Sequence, residues 1–208
     1  MRLLMMILVL IGGMARAEGE RAGEFDYYVM SLSWSPTWCA LEGNERGSPQ
    51  CDQDFGWVLH GLWPQYEAGW PSYCNTRERN PSRRDTSAQA DLFGASGSAW
   101  HQWNKHGRCS GLSSDDYYAL SREAYTRIER PALLRQLDRS VRLPAAVIEE
   151  AFLEANPTLT AEQITITCKA GRIQEARICL TRDLELRTCG RDVQRDCSMK
   201  DALFDPIK

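Results

Sequence analysis

Eight cysteines constrain this chain more than any other feature: Cys39, Cys51, Cys74, Cys109, Cys168, Cys179, Cys189 and Cys197. Ahead of them stands a segment that reads as an export signal. Arg2 supplies a positive end, Leu3 to Met14 is an apolar run too short to span a bilayer, and Ala15-Arg16-Ala17 has the small-x-small cleavage pattern. Cleavage is expected after Ala17, leaving 18–208 as one domain in a secreted or periplasmic protein. An even cysteine count behind such a signal implies a disulfide framework rather than free thiols, although eight cysteines alone leave roughly a hundred pairings open. No Cys-x-x-Cys pair is present, so the spacing of a structural zinc site is missing.

The expected mature chain is long enough to bury a core of its own. No internal repeat, long linker or second apolar segment able to cross a membrane is present, so no membrane association is expected after cleavage. The formal charge is −3, and losing Arg2 and Arg16 with residues 1–17, which hold no acid, makes it −5. An acidic surface does not suit a long basic track along duplex DNA, yet leaves room for a small site that grips one or two phosphates.

Phe25 to Trp34 is rich in aromatic and β-branched residues and reads as a strand. Phe55 to His60 reads as a second, ended by Gly61 and Pro64, with Trp57 and Leu59 on one face and Val58 and His60 on the other. Asn75 to Ala90 is polar and reads as a surface loop. Ser98 to His106 reads as a short helix, capped by Ser96 or Ser98 and closed by Gly107 in a left-handed conformation. Ser113 to Arg130, ended by Pro131, and Pro144 to Ala155 read as longer helices. Glu162 to Cys168 and Ala176 to Leu180 alternate like strands. The order implies an α+β fold with an antiparallel or mixed sheet.

All three histidines fall in two short segments: His60 in Trp57-Val-Leu-His-Gly-Leu-Trp-Pro-Gln65, and His101 and His106 in Trp100-His-Gln-Trp-Asn-Lys-His-Gly-Arg-Cys109. Imidazole gives and takes protons near neutrality, and two of them flanking a bond make a general acid and a general base. On a helix, residues three and four apart are neighbours, so His101, Gln102, Lys105 and His106 share a face while Trp103 turns to the core. Two imidazoles, an ammonium and an amide form a donor-rich cluster without a carboxylate, suited to a phosphoryl group. A metalloprotease helix would separate its histidines by four residues with a Glu after the first; here the separation is five and Gln102 follows His101. A serine nucleophile elbow, Gly-x-Ser-x-Gly, is lacking.

The two histidine segments resemble the active-site segments of the ribonuclease T2 family, and Tyr28-Val-Met-Ser-Leu-Ser-Trp-Ser-Pro-Thr-Trp-Cys39 resembles its first strand and the turn after it. With the cysteine spacing, the resemblance covers nearly the whole mature chain. It implies a secreted endoribonuclease that cleaves single-stranded RNA without a metal or other cofactor, through a 2′,3′-cyclic phosphate. His60 would protonate the departing 5′ oxygen and His106 would deprotonate the 2′ hydroxyl. His101 and Lys105 would hold the phosphate. The pairing implied is Cys39–Cys51, Cys74–Cys109, Cys168–Cys197 and Cys179–Cys189. Trp63 would stack on a base, with Gln65, Tyr66, Trp70 and Tyr73 near enough in sequence to help. The sheet is expected to be mainly antiparallel and flanked by helices, and the protein monomeric.

Gln102 departs from the pattern, because the family usually carries Glu there. One reading is a weakened relative that binds RNA or a protein partner. The other is that Gln102 replaces a protonated Glu: its amide always carries donor hydrogens, whereas Glu donates only when protonated. Retention of His60, His101, Lys105 and His106 favours the second. Arg108 also stands where Thr is usual. Gln65 stands where the family often has an acid, a position that bears on base preference.

Overall fold

The computed structural model describes residues 20–207, so the export-signal reading of 1–17 lies outside the described residues. The described chain is built on a mainly antiparallel sheet of six strands. They are β1 (Tyr27–Trp34), β2 (Trp57–Gln65), β3 (Val141–Leu143), β4 (Ile164–Lys169), β5 (Arg172–Leu180) and β6 (Ala202–Phe204). The order is β2-β1-β5-β6-β3, with β4 also paired to β5. Among the strand pairings of the described residues, only the short β5–β6 pairing is parallel. Three longer helices flank the sheet: α1 (Ser96–Lys105), α2 (Ser114–Arg127) and α3 (Ala145–Ala155).

One face of the sheet carries the main core. Tyr28, Met30, Leu32 and Trp34 from β1 meet Trp57, Leu59 and Leu62 from β2 and Ala176, Ile178 and Leu180 from β5. Ala99 and Trp103 of α1, Tyr117 and Ala124 of α2, and Ile148 and Phe152 of α3 close this face at helical spacing. Trp103 is fully buried, as its helix position demands. The opposite face is largely polar and carries a small apolar cluster of Tyr27, Val29, Cys179, Cys189 and Val193, against which Trp63 packs.

The expected end of β2 is corrected. The strand runs through Gly61 and Pro64 to Gln65. It lies at the sheet edge, where a proline's missing N–H leaves the ladder intact. A bulge interrupts it: Leu32 pairs with Leu59 and Ser31 with Gly61, so His60 is one residue too many. The extra residue resets the alternation. Leu59 and Leu62 both stay in the core, while His60, Trp63 and Gln65 all turn to the polar face.

Other boundaries shift for local reasons. Helix α1 starts at Ser96, and Ala95 occupies the cap position without a side-chain bond, so neither Ser96 nor Ser98 caps it. Gly107 opens a short 3₁₀ turn, and Gly111 takes the left-handed conformation instead. Gly107 is needed for space, since a Cβ there would lie 2.8 Å from the rings of Trp103 and Tyr117. Ser113 caps α2 through the Asp116 amide. The polar stretch after Asn75 is not all loop: Ser82 and Asp85 form a capping box on a short helix, Arg83–Ser87. Strands β4 and β5 form a tight hairpin, with Ala170 and Gly171 both at positive φ, as a two-residue turn requires.

The four disulfides are those the resemblance implied: Cys39–Cys51, Cys74–Cys109, Cys168–Cys197 and Cys179–Cys189.

Candidate active site

The site forms where α1 passes the edge strand β2. From this position the helix sends Ala99 and Trp103 into the core, and its adjacent face meets the polar side of the sheet. A cavity of about 210 Å³ opens there. His60, Trp63 and Gln65 line it from β2, and His101, Gln102, Lys105 and His106 from α1 and its C-cap. Arg177 of β5, Trp70, Val29, Asp192 and Val193 complete the wall. A second groove, reaching Trp38 and Glu42, shares His60, His101 and Gln102 with it, so these three side chains stand between the two clefts.

His60 is anchored from behind. Its Nδ1 donates to Glu175 Oε1 at 2.5 Å. The other Glu175 oxygen accepts from Arg177 Nε at 2.9 Å and Nη2 at 2.6 Å, a two-point clamp. Burial alone would raise the Glu175 carboxyl, but the hydrogen bond and charge of His60, joined by Arg177, outweigh it and hold it at about 2. Glu175 is therefore ionised across the working pH range. With Nδ1 occupied, Nε2 is the His60 nitrogen left for the cleft.

His106 differs in kind. It is buried, and its Nδ1 has no hydrogen-bond partner. Burial first, then the charges of Lys105, His60 and His101, push its imidazole down to about 3. The ring is therefore neutral in mildly acidic and neutral solution, ready to take a proton. The same causes, burial followed by Lys105 and His60, lower His101 more gently.

Trp63 stands between the two imidazoles. Its ring centroid is 5.1 Å from that of His60 and 5.2 Å from that of His106. Its Nε1 donates to Gln102 Oε1 at 2.8 Å. An indole N–H can only donate, so the Gln102 oxygen must face it, and both amide hydrogens point elsewhere. The bond passes over Gly61, where a Cβ would overlap both the Trp63 indole nitrogen and the Gln102 oxygen.

The remaining candidates divide. Gln65 and Trp70 line the cavity, with Trp70 more than half exposed. Gln65 Nε2 donates to the Pro64 carbonyl at 3.0 Å. Tyr66 packs against the main core and Tyr73 is exposed, and neither lines this cavity. Arg108 donates to Asn104 at 3.2 Å and does not line it either. Glu175 and Arg177 escaped the sequence reading. Their signal was two opposite charges two apart, Glu175 and Arg177, which in a strand share one face while Ala176, Ile178 and Leu180 share the other.

A model of the Ribonuclease T2 family matches residues 25–189. A ribonuclease of Aeromonas hydrophila is 47% identical over 122 residues, which cover 57% of this chain and 53% of that protein. Intracellular ribonuclease LX of Solanum lycopersicum is 30% identical over 124 residues, 50% of this chain and 49% of the relative. A probable ribonuclease of Haemophilus influenzae is 28% identical over 120 residues, 51% of this chain and 44% of the relative. The chain spans about half the length of these relatives. Among solved structures, RNase NT in complex with 5′-AMP superposes with a TM-score of 0.69 at 20% identity, over 88% of this chain and 99% of that one. An RNase-related protein from Calystegia sepium gives 0.67 at 20% identity, over 88% and 97%.

Proposed function

The chain belongs to the ribonuclease T2 family, and on that premise we propose that it is an endoribonuclease that cleaves single-stranded RNA by attack of the 2′ hydroxyl on the adjacent phosphorus. The observation that carries this reading is the pairing of two unlike imidazoles across one donor-rich cavity. His106 is held neutral by burial, and His60 is held at Nδ1 by an ionised carboxylate.

The reaction follows from that asymmetry. His106 takes the proton of the 2′ hydroxyl as its oxygen bonds to phosphorus. The bond from phosphorus to the 5′ oxygen breaks, and His60 gives its Nε2 proton to the departing oxygen. The products are a 2′,3′-cyclic phosphate and a free 5′ hydroxyl. His101, Lys105 and the Gln102 amide supply donors to the phosphoryl oxygens, where negative charge grows in the transition state. The nucleophile belongs to the substrate, so no metal is required to generate it, and DNA, lacking the 2′ hydroxyl, is not a substrate. Trp63 and Trp70 offer faces for bases.

The orientation of Gln102 favours catalysis over the reading of a weakened, binding-only relative. The Trp63 bond fixes the oxygen away and leaves two permanent donors free. Action outside the cytoplasm as a monomer, expected from the leader and the small size, completes the proposal.

The test is a short RNA with one 2′-deoxy nucleotide, incubated in EDTA. Cleavage at every position except after the deoxy nucleotide supports the reading. Cleavage after the deoxy nucleotide contradicts it.

A further inference from the structure

We propose that Glu175 is the positioning residue of the general acid, holding the His60 imidazole from behind while Arg177 holds Glu175. The proposal rests on the reading of His60 as the acid. It explains why a carboxylate is buried in the interior of the sheet, on a strand paired on both sides.

Glu175 is 1% exposed. It sits in β5 opposite Ser33 of β1 and Thr167 of β4, on the same face as Arg177. A buried charge is tolerated only when its oxygens are occupied. Here one oxygen takes His60 Nδ1, and the other takes two Arg177 nitrogens. Removing either partner would strand the carboxylate.

His60 needs such a hold. It is the extra residue of a bulge, and 43% of its side chain is exposed. Among the described residues Glu175 is the hydrogen-bond partner of its ring. The other acid close enough to influence it, Glu42, is engaged by Lys169 at 2.5 Å and Arg46 at 2.7 Å. Without Glu175 the ring would be free to turn or to carry its proton on the wrong nitrogen. With Glu175 in place, Nδ1 keeps its hydrogen throughout and Nε2 alone exchanges a proton with the 5′ oxygen. Glu175 takes no proton itself. Its role is orientation and charge, as for a carboxylate behind a catalytic imidazole.

The test separates positioning of the acid from a structural role. The leaving group of an RNA dinucleotide is the 5′ alkoxide of its second nucleoside and needs an acid, whereas that of a nucleoside 3′-(4-nitrophenyl phosphate) is a stable phenolate and does not. For Glu175→Gln, kcat on the dinucleotide should fall roughly 100-fold with KM little changed, while turnover of the nitrophenyl ester stays near the wild-type rate. That retained rate also reports a folded site. Glu175→Asp, which keeps the charge but draws it back, should show a smaller loss on the dinucleotide alone. Unchanged dinucleotide cleavage by Glu175→Gln, or equal losses on both substrates in both variants, would overturn the proposal while leaving the ribonuclease reading intact. A wild-type protein inactive on both substrates would overturn the ribonuclease reading itself, and this inference with it.

Discussion

The indole of Trp63 donates to the side-chain oxygen of Gln102 at 2.8 Å, and it does so across Gly61. Two segments nearly forty residues apart thus share one hydrogen bond inside the site, and a residue without a side chain makes the approach possible. Gly61→Ala would push a methyl group into both partners. We expect a fall in kcat/KM of about 100-fold, the scale of an ångström-sized misplacement of catalytic groups, and a stability loss of about 1–3 kcal/mol from overpacking. Steady-state kinetics and urea unfolding of the variant check both; an active, equally stable Gly61→Ala protein would contradict the geometry.

Replacing Gln102 by Glu tests what the amide contributes. Glu can accept from Trp63 in either protonation state, but it donates to a phosphate oxygen only when protonated. Gln102→Glu should therefore approach wild-type rates at the acid end and fall behind as pH rises. The pH–rate profile is the measurement. A large gain at every pH would mean that Gln102 impairs the enzyme.

His106 makes stability depend on pH. Burial lowers its folded-state pKa from 6.5 to about 3. As pH falls below 6.5 the unfolded chain binds a proton at this residue and the folded chain does not. Stability therefore declines from pH 6.5 towards 3, by up to about 1.4 kcal/mol per pH unit. Glu175, lowered from 4.5 to about 2, adds a further loss only as pH falls from 4.5 towards 2. His106→Gln should flatten the decline between pH 6.5 and 4.5. Urea midpoints across that range for both proteins decide it, and parallel curves would show that His106 carries no such linkage.

Much of this was legible in the chain. The cysteine count announced the staples, and the spacing of Ala146, Ile148, Ala151, Phe152 and Ala155 announced α3. The i, i+3 and i+4 positions put His101, Gln102, Lys105 and His106 together because a helix keeps its period. The strand did not keep its own. Strict alternation puts His60 and Trp63 on opposite faces, and only the bulge at His60 brings both into the cavity. A bulge is a relation between two strands, so no reading of β2 alone could locate it. Glu175 was hidden for a similar reason, since its meaning depends on β5 lying beyond β1 from β2 and facing the same side.

The disulfides should differ in worth. Cys74–Cys109 closes a separation of 35 residues and Cys179–Cys189 one of 10. A crosslink acts largely by restricting the unfolded chain, and more so for a longer loop. Removing the first as a paired Cys→Ala variant should cost about 1 kcal/mol more than removing the second, by chain entropy alone. It should also lower activity, because it joins the loop after β2 to the turn that follows α1. Thermal or urea unfolding of the two variants compares them directly; the opposite order would refute the entropic account.

The division of labour between His60 and His106 is the centre of the account. It is tested most directly by incubating a single-stranded RNA with the wild-type protein, His60→Phe and His106→Phe in EDTA, from acid to neutral pH, and identifying the ends produced. We predict 2′,3′-cyclic phosphate ends from the wild type, with a bell-shaped pH dependence, and loss of nearly all cleavage in each variant. Substantial cleavage by either variant would contradict the assignment.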